Sequence, residues 1–199
     1  MREMHAPLSD YLAESAALLT ASAAAVPQSA VDAAVDAIVR ALSAGKPLLV
    51  CGNGGSACDA MHITGELVAR FLEERRALKA ICLSSNFAAL TAWSNDCGFA
   101  TAIARQVEAY GEAGAVLLGI STSGNSENIL AAFHRAREME MVTVALTGEG
   151  GGKMAALADH LLAVPSPRTP LVQQVHVCIY HYLCHRIERR MMRSAPADT

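Results

Sequence analysis

At 199 residues, 52% of them apolar and only 18% charged, the chain is long enough to bury a core without disulfide or metal staples. A formal net charge of −3 excludes the basic footprint that nucleic-acid binding needs. The apolar surplus exceeds that of an average soluble protein and points to subunit interfaces, hence to a homo-oligomer.

The chain starts Met1-Arg2-Glu3-Met4-His5 and brings Asp10 and Glu14 soon after, which is not the pattern of a signal peptide. Ser15 to Val26 is too short and too rich in Ala, Ser and Thr to span a bilayer. A cytoplasmic protein with no membrane partner is expected. Cys51, Cys58, Cys82, Cys97, Cys178 and Cys184 form no CxxC pair and mostly sit in apolar runs. They read as buried free thiols of a reducing compartment.

Residues 1–45 read as two helices. The second has a cap-like start at Ser29 with Asp32, and Val31, Val35, Ile38, Val39 and Leu42 make one apolar stripe. Ser43-Ala44-Gly45 with Lys46-Pro47 ends it. Alternation follows: strand 47–51, helix 56–70, strand 79–84, helical segments 86–94 and 99–110, strand 115–120 and helix 126–139. Strand 142–147, a short helix at 152–158, strand 160–164 and a long helix over 170–192 complete the chain. Short apolar strands, each separated from the next by a helix, argue an α/β fold with a parallel sheet covered on both faces. No repeat, linker or break divides residues 1–199: one domain is expected, a helical pair at 1–45 leading into an α/β core and C-terminal helix at 46–199. The basic tail of Arg186, Arg189, Arg190 and Arg193 reads as a solvated helix end favoured by the dipole.

Two polar turns share a frame. Cys51-Gly52-Asn53-Gly54-Gly55-Ser56 and Ser121-Thr122-Ser123-Gly124-Asn125-Ser126 each follow a strand and open into a helix. Such a turn aims free backbone N–H groups and a positive dipole end at one spot, a natural anion site. One turn alone equally fits an ordinary βα loop; two suggest a phosphorylated small molecule at the carboxyl edge of the sheet.

Downstream of the first turn, His62 and Glu66 stand four apart, on one helical face. They suit a shared divalent metal, an acid/base pair, or a plain surface hydrogen bond. The last helix carries Gln173, Gln174, His176, His181 and His185, where a satisfied core or interface histidine is the default for each. His181 and His185 form an alternative metal pair at the same spacing. Gln173 and His181 are about 12 Å apart along an ideal helix, so one metal reaches both only if their side chains stretch or a neighbouring subunit completes the site. Asn95-Asp96 reads either as an Asx-type cap or as polar contacts to a polyhydroxylated ligand.

Together, CGNGGSACDAMH at 51–62, ALTAWSND at 89–96, GISTSGNSENIL at 119–130, LTGEGGGKMA at 146–155 and VQQVH at 172–176 resemble the sugar isomerase (SIS) domain, and within it the phosphoheptose isomerases. The resemblance runs through essentially the whole chain with the motifs in family order. It implies a three-layer α/β/α sandwich around a five-stranded parallel sheet, preceded by two N-terminal helices and assembled as a homotetramer with active sites at subunit interfaces. It implies interconversion of sedoheptulose 7-phosphate and D-glycero-D-manno-heptose 7-phosphate through an enediol, on the way to ADP-heptose and lipopolysaccharide. By the same resemblance Ser121, Thr122, Ser123 and Ser126 look like the phosphate cradle. Asn53, Gly54, Gly55, Asn95 and Asp96, with Glu66 and Gln173, look like substrate contacts. His62, Glu66, Gln173 and His181 look like ligands of one Zn²⁺ per subunit, with Glu66 the base and His181 the acid.

Three places depart from the family pattern: Gln174 for a common Glu, no proline in Glu73 to Lys79, and Trp93 for a smaller aliphatic residue. The rival is a non-catalytic SIS phosphosugar-binding protein of the replication-initiator-associating type, which lacks the Glu and the second His of the metal set. A sugar-sensing regulator would bring a DNA-binding helix-turn-helix, and this chain shows none.

Overall fold

The computed structural model describes residues 7–193; Met1–His5, on which part of the leader reading rests, falls outside the described residues. Helices α1 (Leu8–Ala25) and α2 (Gln28–Ser43) follow Pro7 and Pro27. Proline pre-sets a helical φ and needs no N–H partner, so it is well placed beside a first turn. Pro27 therefore starts α2, and the expected Ser29/Asp32 cap is not formed. Asp32 instead accepts from Gln28 Nε2 (3.1 Å) and pairs with Arg186 (3.1 Å). The predicted stripe of Val31, Val35, Ile38, Val39 and Leu42 is buried. The helix closes as a Schellman motif: Lys46 N–H reaches Ala41 O (2.9 Å), Gly45 N–H reaches Leu42 O (3.2 Å), and Gly45 sits at φ +75°.

Five parallel strands follow: β1 (Leu48–Gly52), β2 (Ala80–Cys82), β3 (Val116–Ser121), β4 (Val142–Thr147) and β5 (His160–Ala163), in the spatial order β2-β1-β3-β4-β5. Leu48 stands opposite Ala80 on one side and Val116 on the other. Strand period 2 sends alternate residues to opposite faces. Leu48, Val50, Leu118 and Ile120 pack with α2 and the C-terminal helix, while Leu49, Cys51 and Leu117 pack with Phe133 and Ile103 on the other face. Three layers result, as expected.

Helices α3 (Gly55–Val68), α4 (Phe87–Cys97), α5 (Ala102–Tyr110), α6 (Glu127–Glu138) and α7 (Thr169–Arg193) make the outer layers. β2 is shorter than predicted, a blunted edge strand. The predicted helix at 99–110 opens with a 3-10 turn over Phe99–Thr101. The one at 152–158 is a 3-10 segment over Glu149–Ala156, kinked where Gly150, Gly151 and Gly152 all take positive φ. No single helix among the described residues is long and apolar enough to cross a membrane.

Two expectations need correction. All six cysteines are free, but only Cys51, Cys82 and Cys184 are buried; Cys58, Cys97 and Cys178 lie on outward helix faces. The basic tail is not merely solvated, because α7 packs along α2: Arg186 pairs with Asp32 and Arg190 with Asp36. The hydrogen bond from Arg190 holds the Asp36 carboxyl below its ordinary range.

Candidate active site

Both polar turns sit at the carboxyl edge of the sheet, after β1 and after β3. At the first, Gly54 takes φ +54°, which a side chain would strain. A Cβ on Gly55 would come within 2.6 Å of Gln173 Nε2, so glycine there lets α7 approach α3. Gln173 Nε2 lies 3.5 Å from Ser56 Oγ. Asn53 does not leave its amide free: Nδ2 donates to Asn128 Oδ1 (2.8 Å) and Oδ1 accepts from Asn128 Nδ2 (2.9 Å). Asn128, buried in the first turn of α6, ties the two turns together and was missed in the sequence.

At the second turn, Ser121 Oγ is 3.0 Å from Ser126 Oγ, and Thr122 Oγ1 is 3.1 Å from Thr169 Oγ1 at the start of α7. Ser123 Oγ accepts from Asn125 N–H (3.2 Å). Gly124, at φ +63°, is seated on the triple-glycine segment, where a Cβ would meet Gly151 O at 2.0 Å. α6 begins directly after Ser126 with no side chain capping it, which leaves the start of a helix, with its uncapped N–H groups, next in the chain to these hydroxyls. That is a cradle suited to a phosphate.

The other end of α3 carries different chemistry. His62 Nε2 lies 3.0 Å from Glu66 Oε1 and 3.5 Å from His181 Nε2 on α7. Ligand atoms of these three residues lie within 4.8 Å of one another. Ligands at zinc distances in a tetrahedron stand roughly 3.3 Å apart, and both separations sit close to that value. Two imidazoles and one carboxylate with further positions open form a donor set that fits a catalytic zinc. Gln173 is not beside them: its partner Ser56 is about 9 Å along α3 from His62. The alternative pair of His181 with His185 gains no third His, Cys, Asp or Glu among the described residues, and His185 lies against Phe71 (ring centroids 6.5 Å apart).

Two supports behind the group were not foreseen. Tyr180 Oη lies 2.9 Å from His62 Nδ1 and 3.4 Å from Asp59 Oδ1. Burial, with the Asp59 charge adding to it, pushes the Tyr180 phenol up, so it stays protonated at any working pH. Burial also raises the Asp59 carboxyl, against the opposing Tyr180 hydrogen bond and His62. At the C-terminus of α3, the fully buried Glu188 carboxylate accepts from the N–H groups of Phe71 (2.9 Å), Leu72 (2.8 Å) and Glu73 (3.1 Å) and pairs with Arg75 (3.3 Å). Burial works to raise this carboxyl, but the three donors and Arg75 outweigh it and hold it below the usual range. Arg75 Nη2 in turn donates to Glu66 O (2.7 Å), fixing the turn that carries Glu66.

His176 is the core histidine of the default reading, with one nitrogen satisfied: its Nε2 lies 3.0 Å from Thr147 O, its Nδ1 is buried with no hydrogen-bond partner among the described residues, and burial pushes its pKa down to about 4. Gln174 donates to Tyr11 Oη (2.9 Å), tying α7 to α1. Asn95 and Asp96 bond to each other (2.8 Å) in the last turn of α4, exposed. They do not form an Asx cap, because α4 runs on to Cys97 and Gly98, at φ +91°, ends it. α4 has no buried residue.

A model of the SIS domain matches residues 10–148. The phosphoheptose isomerase of Helicobacter pylori (strain ATCC 700392 / 26695) is 48% identical over 162 residues, spanning 81% of this chain and 84% of that protein. That of Bradyrhizobium sp. (strain ORS 278) is 48% identical over 185 residues, spanning 89% and 93%. The solved structure of a phosphoheptose isomerase from Francisella tularensis superposes with a TM-score of 0.88 at 39% identity, covering 92% of this chain and 96% of that one. The chain belongs to the SIS-domain family and, within it, to the phosphoheptose isomerases.

Proposed function

We propose that this chain is an aldose–ketose isomerase that interconverts sedoheptulose 7-phosphate and D-glycero-D-manno-heptose 7-phosphate in the cytoplasm and feeds ADP-heptose and lipopolysaccharide synthesis. The observation that carries it is the meeting of Glu66 on α3 with His181 on α7 beside His62, in a chain whose relatives are named phosphoheptose isomerases. The rival binding protein lacks that Glu and second His, and is not favoured.

The turn of Ser121, Thr122, Ser123 and Ser126 holds the phosphate. Asn53, Gly54 and Gly55, with Asn95, Asp96 and Gln173, border the sugar. Glu66 takes the C1 proton as the C1–H electrons form the C1–C2 double bond, and His181 delivers a proton to the former carbonyl oxygen. His181, having given its proton to the former carbonyl oxygen, takes the proton from O1 as the C1–O1 double bond forms, and Glu66 returns its proton to C2 as the C1–C2 double bond is lost, which completes the aldose. His62, Glu66 and His181 are the residues that would hold Zn²⁺, one per subunit. A bound Zn²⁺ supplies Lewis-acid polarisation of the carbonyl and stabilisation of enediolate charge. A carboxylate has two oxygens: with Glu66 Oε1 turned to His62, Oε2 is the one to take the proton.

We read the assembly as a homotetramer with sites completed between subunits. Leu8, Leu12, Phe87 and Phe99 are each more than half exposed, and α4, which carries Asn95 and Asp96, has no fully buried residue and sets only Leu90 against the core of its own chain. A neighbouring chain is also the route by which Gln173 joins the metal ligands, since in its own chain it rests at Ser56. The deciding experiment is a product assay on sedoheptulose 7-phosphate, with and without a chelator, beside Glu66→Gln and His181→Ala. Turnover is expected from the wild type alone. Full activity in both variants overturns the site, and no turnover by the metal-restored wild type revives the binding protein.

A further inference from the structure

Behind His62, Glu66 and His181, α3 and α7 are joined by a second hydrogen-bonded line. Tyr180 is 1% exposed and places its one hydroxyl between His62 Nδ1 (2.9 Å) and Asp59 Oδ1 (3.4 Å). Asp59 stands three residues before His62 on the same helix. Its second oxygen, Oδ2, is buried with no hydrogen-bond partner among the described residues, so the tyrosine proton is what this carboxylate has within reach.

The proton inventory decides what this line does. A phenol has one proton to give, a carboxylate only accepts, and a neutral imidazole carries its proton on one nitrogen. If Tyr180 donated to His62 Nδ1, His62 would turn Nε2–H toward Glu66 and close the group against a cation. Asp59 would lose its donor, which costs a partly buried carboxylate dearly. If Tyr180 donates to Asp59, its oxygen accepts Nδ1–H from His62. The bare Nε2 then faces Glu66 Oε1 at 3.0 Å and His181 Nε2 at 3.5 Å, an arrangement of lone pairs that a cation bridges.

We propose that Asp59 and Tyr180 are positioning residues that lock His62 in its Nδ1–H tautomer and so preorganise His62, Glu66 and His181 for a divalent cation. Groups that orient a metal-bound histidine through its other nitrogen commonly set its affinity. The proposal rests on the metal set proposed above, and the experiment separates the two.

The full-length protein is stripped with a chelator and titrated with Zn²⁺ against a chromophoric competitor. Tyr180→Phe, which keeps the ring, is expected to weaken Zn²⁺ binding about 10- to 100-fold. Its metal-free melting temperature should fall, because Asp59 is left without its donor, so the readout that separates positioning from a merely structural role is the Zn²⁺ affinity of the folded protein. ¹⁵N NMR of the Zn²⁺-loaded protein should show His62 protonated at Nδ1 in the wild type and that resonance displaced in the variant. Asp59→Ala carries the same affinity expectation and stands in if Tyr180→Phe fails to fold. Zn²⁺ affinity within threefold of wild type in Tyr180→Phe and Asp59→Ala, while His62→Ala loses it, overturns the relay alone. Undiminished affinity in His62→Ala overturns the metal set and the relay with it.

Discussion

The two ends of α3 are built by different means. At its N-terminal end, Gly54, Gly55 and the turn of Ser121 to Ser126 work through backbone shape: positive φ, close approach, and helix N–H groups beside hydroxyls. At its C-terminal end, His62 and Glu66 work through side-chain chemistry, braced by two acids, Asp59 behind Tyr180 and Glu188 beneath the following turn. A loop that grips a phosphate needs little beyond shape. A group that moves protons needs each nitrogen and oxygen aimed, and that takes buried polar support.

The contrast is broken most directly at Glu66. Glu66→Gln is expected to lower kcat by about 10²- to 10⁴-fold with KM nearly unchanged, the size of a lost general base; a proportionate rise in KM would move Glu66 to the binding end. Removing the brace below it should cost stability first. Glu188→Ala leaves Arg75 and three N–H groups without their acceptor and should lower unfolding free energy by about 3–5 kcal/mol in urea titration.

A third measurement probes the core shared by both ends. Folded His176 takes its proton only near pH 4, whereas an unfolded histidine takes it near 6.5. The unfolded state therefore binds more protons between those values, and stability is lost as pH falls through that window, by about 3 kcal/mol in all. His176→Gln should flatten this part of a melting-temperature profile. The smallest effect on turnover belongs to the binding end: Gly124→Ala forces a Cβ to 2.0 Å from the backbone oxygen of Gly151 at a positive φ, adding a backbone clash to conformational strain of about 1–3 kcal/mol. It should raise KM for the phosphosugar while kcat holds. A fall in kcat with KM unchanged would erase the distinction between the two ends.

How much of this was legible beforehand follows the range of each interaction. The strands showed because runs such as Leu48-Leu49-Val50 and Val116-Leu117-Leu118 are buried on both faces and stay apolar throughout. His62 with Glu66 showed because four residues is one helical turn. Asn53 with Asn128 is 75 residues apart, and Tyr180 with His62 is 118 apart. No local period marks such pairs. The Ser29/Asp32 cap was misjudged because Pro27 competes for the same helix start, and the cysteines because a sequence run does not say which way a helix faces.

The sequence alone determined the layered α/β architecture, the two turns and the spacing of His62 and Glu66, since each depends on local propensity and the periods 2 and 3.6. The family resemblance, and no local period, singled out His181 over His185; only the tertiary structure decided that Gln173 rests at the opposite end of α3 and that Asp59, Tyr180, Asn128 and Glu188 pack around these residues. These are contacts between α3, α6 and α7, fixed by how helices pack on a shared sheet and by the need to satisfy polar groups once buried.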